Sequence, residues 1–584
     1  MKGAGLARFL LIPLLPYFKE ENMMMRKGTK LAVATLFAAA MLFGTNCYAQ
    51  TFPFVAAGSS AAFNALAFAG EFGSSPVCGP YNWTAPKTGG SGQITGHDNR
   101  GVSSISDVNG TVWVEWNTSN GSPTGPVTTV CAYLNIDSIV GNRLFFAQPQ
   151  GSLVFTAGCP SGGYAPNTPN QVPLLPADIT LPQTVCNALN NHAVNAAPSD
   201  IRAEDAAFGT QRACSTYASG LTGLGYGGSS SCLPGNAINS AFSTGSAQPV
   251  YFNIVAGGKD PITGNTIPAS TTLEVGGQIL LVLANTSDTA TGGLGTAAFN
   301  NVDRWVLAET LNGSLTRTRD LIPSSGLPSV PLTVILREPL SGTMNTIEFQ
   351  ITRNDEIASS QEYLINPNGG APSGWTGTTN PLNITYTKSG GKKMRAIGTG
   401  EMTKEIGLVK DALGYAFFSY GNVSGITSTA KYLAVDGVDP LYADYASNPN
   451  GPGVLPTCTV SSGSSSCSGA ITFPNIQNGS YPIWNVLRVV TASPAPAGVS
   501  ALVSAAQTYA SSFVPDFVPF ANLGVFRSHY NAVLTTCCGA TVVAHNGHTK
   551  TAESGSDVGG AVFTIQSDLD HIADTNLELT QHKQ

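Results

Sequence analysis

Val330-Pro331-Leu332-Thr333-Val334-Ile335-Leu336-Arg337-Glu338-Pro339-Leu340-Ser341-Gly342-Thr343 is the stretch that decides the fold. Val330 to Leu336 is apolar and carries no charge, which suits a strand buried on both faces. Arg337 closes that strand, and an arginine there can fork onto an oxyanion through two parallel N–H donors. Ser341-Gly342-Thr343 follows at a spacing that can open a helix. Two hydroxyls and unpaired backbone N–H groups would then face the arginine's end of the strand.

Working outward, three other segments have the same design. Ala57-Gly58-Ser59-Ser60-Ala61-Ala62-Phe63 is a small-residue turn between a short strand and an apolar helix, Ala61 to Ala69. It places hydroxyls and N–H groups where the helix dipole favours an anion, although serine is also a routine helix cap. Pro198-Ser199-Asp200 follows a small-residue strand, with capping of the next helix as its plainer reading. Gly398-Thr399-Gly400-Glu401-Met402 precedes a helical stretch, Thr403 to Asp411. Ile279 to Ala284 is a continuous apolar run that suits a buried parallel strand, and Gly414 to Phe418 is a further strand. Pro182 to Ala193 and Val499 to Phe513 read as helices, and Thr111 to Trp116 as a strand. Strands alternating with helices predict an α/β protein.

Composition narrows the setting. The chain has 584 residues, more than one ordinary domain. Charged residues are 11% of it, against a usual share of about 25%. The net charge of −7 gives no basic field for nucleic acid. Lys392, Lys393 and Arg395 form a short basic cluster that reads as a solvated turn. Arg26, Lys27 and Lys30, the apolar run Leu31 to Phe43, and Cys47-Tyr48-Ala49 read as a cleavable export signal, with cleavage before Gln50. Translation is then expected to begin at Met23, Met24 or Met25, and the mature protein to be periplasmic or secreted. Of 11 cysteines, removing Cys47 leaves an even set, which in an exported chain predicts disulfides. Cys458/Cys467 and Cys214/Cys232 are plausible local bridges, whereas the adjacent Cys537 and Cys538 are poorly placed to bond each other. His545 and His548 sit in a polar tail, 541–584, and read as a turn rather than a metal site. No nucleophile elbow is present, and neither a cofactor nor an enzymatic activity is expected.

Taken in order, these segments resemble the phosphate-binding proteins of bacterial ABC transporters, within the type 2 periplasmic binding protein fold. Gly58 to Phe63 is similar to that family's first glycine-rich turn, and Ser199-Asp200 to its Ser-Asp pair. Leu280 to Asn285 is similar to the strand entering its second lobe, and Arg337 to Thr343 to its Arg-x-x-x-Ser-Gly-Thr element. Gly414-Tyr415-Ala416-Phe417 and Tyr481-Pro482-Ile483-Trp484 complete the series. The resemblance spans roughly 51–65 and 185–535 as separate motifs. It implies a two-lobed fold with hinge strands and a loop- and strand-rich insertion at about 70–180. The first lobe would be 51–275 plus 484–540, and the second 280–482. It implies a small oxyanion ligand, phosphate above all, held by Gly58, Ser59, Ser60, Phe63, Ser199, Asp200, Arg337, Ser341, Gly342 and Thr343. An ABC transporter permease is the partner that goes with this reading.

The chain departs from the family in three places. Ala62 stands where a threonine is usual, Pro339 stands where an aspartate pairs with the arginine, and the insertion has no counterpart. The insertion and the missing threonine favour the alternative of a secreted or surface structural protein that keeps the fold without solute capture.

Overall fold

The computed structural model describes residues 50–72, 76–87, 94–101, 107–203, 259–260, 262–322, 326–338, 340–347, 350–351, 370–377, 383–386, 388–467, 471–512, 516–527 and 562–564. The export signal, Cys47, Cys214, Cys232, Cys537, Cys538, His545, His548 and Pro339 lie outside the described residues.

Two lobes share one long mixed sheet. The strands that matter are β1 (Thr51–Gly58), β2 (Tyr81–Ala85), β3 (Thr111–Thr118), β4 (Val127–Asn135), β5 (Ala196–Ser199), β6 (Ser270–Asn285), β7 (Thr333–Arg337), β8 (Asn383–Thr385), β9 (Lys392–Ala396), β10 (Ala412–Phe417), β11 (Ala430–Val435) and β12 (Trp484–Ala492). Their order across the sheet is β8-β9-β7-β10-β6-β12-β5-β1-β4-β3-β2, with β11 also on β6. The helices used below are α1 (Phe63–Phe72), α2 (Ser138–Phe146), α3 (Gln183–Leu189), α4 (Gly342–Ile347), α5 (Gly398–Leu408) and α6 (Ala497–Ser512).

β1 shows how the first lobe is built. Val55 and Ala57 join a core on one face of the sheet with Trp83, Trp116 and Leu144. Phe54 and Ala56 point to the other face and join Trp113, Leu66 and Leu502. A strand covered on both faces needs an unbroken apolar run, and β1 has one. Each fully buried Leu, Phe or Val of this kind stabilises the fold by roughly 1.5–3 kcal/mol over leaving it exposed. β1 runs parallel to β4 and β5. The second lobe has its own core, with Leu281, Ile335, Leu336, Ile406 and Leu413 at its centre. There β7 runs parallel to both β9 and β10.

β6 is the strand that joins the lobes. Ser270 to Ile279 pair antiparallel with β12, from Ser270↔Ala492 to Ile279↔Trp484. Leu280 to Ala284 then pair antiparallel with β10, and Val282 to Asn285 with β11. The apolar run at Ile279–Ala284 is therefore buried, as the sequence predicts, but antiparallel where a parallel strand is expected. An unbroken apolar run reports that both faces are covered; it carries no information on strand direction.

Other elements also shift. The basic cluster lies on β9, not in a solvated turn, with Lys393 and Arg395 fully buried. The α3 helix stops at Leu189 because Asn191 takes a left-handed φ of 64°, and His192–Ala193 forms a short strand instead. α5 begins at Gly398, earlier than Thr403, so its Gly-Thr-Gly start is its first turn. Asp411, read as the helix's last residue, has a φ of 53° and leads into β10. The insertion supplies β2, β3, β4 and α2. It also supplies most of a second, four-stranded sheet made of Ile94–His97, Val108–Asn109, Ser152–Phe155 and His192–Ala193. Disulfides join Cys78 to Cys131, Cys159 to Cys186 and Cys458 to Cys467.

Candidate functional site

β1 ends in Gly58 because nothing larger fits: a Cβ there would lie 2.1 Å from the Pro198 carbonyl oxygen. The close approach lets the Ser59 N–H donate to that carbonyl at 2.9 Å, so the ends of β1 and β5 are tied together. Ser59 caps the next turn, its Oγ accepting from the Ala61 N–H at 3.1 Å. Its hydroxyl proton goes to Asp200 Oδ1. Asp200 stands just past β5 and is 2% exposed.

Asp200 collects hydroxyls from three separate segments. Besides Ser59, Ser138 Oγ donates to Oδ1 at 3.2 Å and Thr343 Oγ1 donates to Oδ2 at 3.0 Å. Ser138 Oγ also accepts from the Asp200 N–H at 3.3 Å. Thr343 belongs to the second lobe, so this carboxylate is a contact between lobes. Gly342 makes the contact possible. A Cβ on it would fall 2.5 Å from Ser138 Oγ and 2.6 Å from Asp200 Cβ. Burial pushes the Asp200 pKa up, and the Ser59, Thr343, Arg337 and Ser138 groups only partly offset it.

Arg337, at the end of β7, is also buried but has a different shell. Nε and Nη2 fork onto Glu338 at 2.7 and 2.6 Å, and Nη1 donates to Thr399 Oγ1 at 2.7 Å. Asp137 Oδ1 lies 3.6 Å from Nη2. Glu338 also accepts from the Gly398 N–H at 3.0 Å, which links β7 to the start of α5. Burial opposes charge on this cluster, but Arg337 wins for Glu338, whose pKa is held low. Burial, then Glu338, push Asp137 well above the usual carboxylate range.

The cluster opens on a cleft of about 540 Å³ between the lobes. Of the expected site residues, Ser60, Phe63 and Arg337 line it. Ser60 Oγ is 3.5 Å from Thr399 Oγ1 across the cleft. Phe63 packs its ring on Tyr133, with centroids 5.4 Å apart. Ser199 is turned away, with its Oγ donating to the Ile201 carbonyl at 2.7 Å. Ser341 is also used locally, where its Oγ accepts from the Met344 N–H at 3.4 Å. The cleft wall carries Lys87 and Arg337 against Asp137, Glu338 and Glu401, so it has no excess of positive charge. Among the described residues no group of three or more His, Cys, Asp or Glu side chains could hold a metal ion.

Ser138 and Asp137 are site residues that the sequence reading does not pick out. Ile139, Val140 and Leu144 have helical spacing, and Asp137-Ser138 stands before them as a helix start. That signal locates α2 and brings Ser138 to the turn facing Asp200.

Two lobes joined by crossover strands, with strand ends and helix starts converging between them, define a two-lobed α/β protein built on one mixed sheet. No protein-family model and no curated protein sequence matches the chain. Solved structures share part of the fold. A phosphate-binding protein from Stenotrophomonas maltophilia is 12% identical, with 58% of this chain and 79% of that one covered and a TM-score of 0.28. An ABC-type phosphate transport receptor from Vibrio cholerae is 13% identical, with 43% and 72% covered and a TM-score of 0.24. PstS from Borrelia burgdorferi is 13% identical, with 43% and 73% covered and a TM-score of 0.25. Overlap of this extent carries no inference about ligand. No helix among the described residues is long and apolar enough to cross a membrane.

Proposed function

We propose that the protein is an exported solute-binding protein that captures a small oxyanion, hydrogen or dihydrogen phosphate, between its lobes. The observation that supports it most is the shell of Asp200, where hydroxyls of Ser59, Ser138 and Thr343 reach one carboxylate from both lobes. The same hydroxyls can turn to an oxyanion, while Asp200 accepts the ligand's own proton. Sulfate at neutral pH has no proton to give and meets only like charge. The lobes in this reading are 51–275 with 484–540, and 280–482, with Arg337 anchoring the anion from the second lobe. The chemistry is capture, not turnover, and a transporter permease is the partner that such a role calls for.

One observation favours the structural alternative. The Arg337 fork that an oxyanion would use is already occupied by Glu338. Native mass spectrometry of the exported protein, followed by titration calorimetry with a panel of oxyanions, separates the two. A co-purified or titratable oxyanion supports capture. A protein that binds none of the panel is a structural relative of the fold.

A further inference from the structure

Glu115 sits midway along β3, directly opposite Asn82 of β2 and Cys131 of β4. It is fully buried, and neither carboxyl oxygen has a hydrogen-bond partner among the described residues. Glu71, in the last turn of α1, is 8% exposed, and its Oε2 is also unpartnered. α1 presses directly on Glu115. A Cβ on Gly70 would come within 2.2 Å of Glu115 Oε2 and 3.0 Å of Cys78 Sγ. One carboxyl therefore lies between a helix and the Cys78–Cys131 disulfide, with a second carboxyl one residue along the helix.

The surroundings offer no compensation. α1 contributes Glu71. Beyond Asn82, Asp178 faces the β2 side, 3.3 Å from Asn82 Nδ2. From α6, Tyr509 donates its hydroxyl to the Phe72 carbonyl. Among the described residues no lysine, arginine or histidine acts on either carboxyl. A carboxylate at Glu115 would have neither water nor a partner, and one at Glu71 would leave its Oε2 without either, so burial favours the neutral form of both. Burial pushes Glu71 up to about 8, and burial followed by Glu71 pushes Glu115 well above the carboxylate range.

We propose that Glu71 and Glu115 form a proton-dependent latch, which holds the last turn of α1 on the first-lobe sheet while both are neutral and lets it go when Glu71 ionises. Glu71 is the edge member, and it loses its proton to solvent. In the docked turn its Oε2 is buried without a partner, and lifting the turn gives that oxygen water. That movement breaks the Cys78 N–H bond to the Gly70 carbonyl, 3.1 Å in the docked form, and uncovers Glu115. α1 begins at the Ser59–Phe63 turn, so its docking bears on the mouth of the cleft. The latch does not depend on which ligand, if any, the cleft takes.

The linkage has a definite sign. A carboxyl whose folded pKa exceeds its ordinary value adds stability that is complete below that value and disappears as pH rises through the folded pKa. For Glu71 the window runs from about 4.5 to about 8. Other buried carboxyls titrate nearby, Asp178 and Asp516 among them, so the informative quantity is native protein minus variant. Denaturant unfolding across that window should show the native unfolding constant rising about tenfold per pH unit more steeply than that of Glu71→Gln. Amide hydrogen exchange, corrected for its intrinsic pH dependence, should show protection of α1 falling with pH in native protein only. Parallel pH profiles for the two proteins overturn the latch. If Glu71→Gln does not fold, infrared spectra of native protein and Glu115→Gln at neutral pH decide. A protonated-carboxyl C=O band lost in the variant supports the latch, and its absence from native protein overturns it.

Discussion

Asp200 and Arg337 are both buried charges at the junction of the lobes, and their shells are opposite in kind. Asp200 is one carboxylate held by neutral hydroxyls from three segments. Arg337 is one guanidinium held by an ionised Glu338, a nearby Asp137 and the Thr399 hydroxyl. Hydroxyls rotate at little cost and can be redirected to a ligand. A bidentate ion pair gives up its partner only for an equally good one. The first region is therefore the adaptable half of the proposed site, and the second is the rigid half that fixes the cleft wall.

The contrast is broken most severely at Arg337. Arg337→Ala leaves Glu338 buried without its cation and should lower stability by ~3–5 kcal/mol, read by denaturant unfolding. The sequence alone suggests a change confined to binding, because it does not reveal that Glu338 is buried against the guanidinium. A loss below about 1 kcal/mol would mean that the pair is solvated and worth no more than a surface salt bridge.

Gly342→Ala tests the seam at Asp200. The added methyl meets Ser138 Oγ and Asp200 Cβ at 2.5 and 2.6 Å, so the second lobe must move away. The expected cost is ~1–3 kcal/mol, seen as a lower unfolding midpoint with the hydroxyl shell disrupted. An unchanged midpoint would show that the lobes are not closed on each other at this point. Ser138→Ala is milder. It removes one hydroxyl from a carboxylate that keeps two others, and about 1 kcal/mol is expected by the same unfolding assay. A cost as large as that of Arg337→Ala would put Ser138 in a role beyond sharing the load at Asp200.

The legible part of the site is the part that is local in sequence. Arg337, Gly342 and Thr343 lie within one strand-to-helix connection, and their chemistry follows from residue type and spacing. Ser59 and Asp200 are also readable as polar residues at strand ends. What joins them is not readable, because the contact of Ser59, Ser138 and Thr343 on Asp200 depends on how separate strands pair. Glu71 and Glu115 are hidden for the same reason. Each looks like an ordinary charged residue until α1 is laid across β3. Lys393 and Arg395 look solvated in sequence, but β9 sits between β7 and β8 and is covered. The direction of β6 is likewise set by its partners β10 and β12, not by its own apolar run.

The most direct measurement is titration calorimetry of phosphate and sulfate on native protein and on Asp200→Asn. Native protein should bind phosphate in preference to sulfate, because only phosphate brings a proton for the carboxylate to accept. Asp200→Asn should lose most of that preference while sulfate binding holds or improves, since the like charge is gone. Equal binding of the two anions by native protein, or an undiminished phosphate preference in Asp200→Asn, would contradict the account.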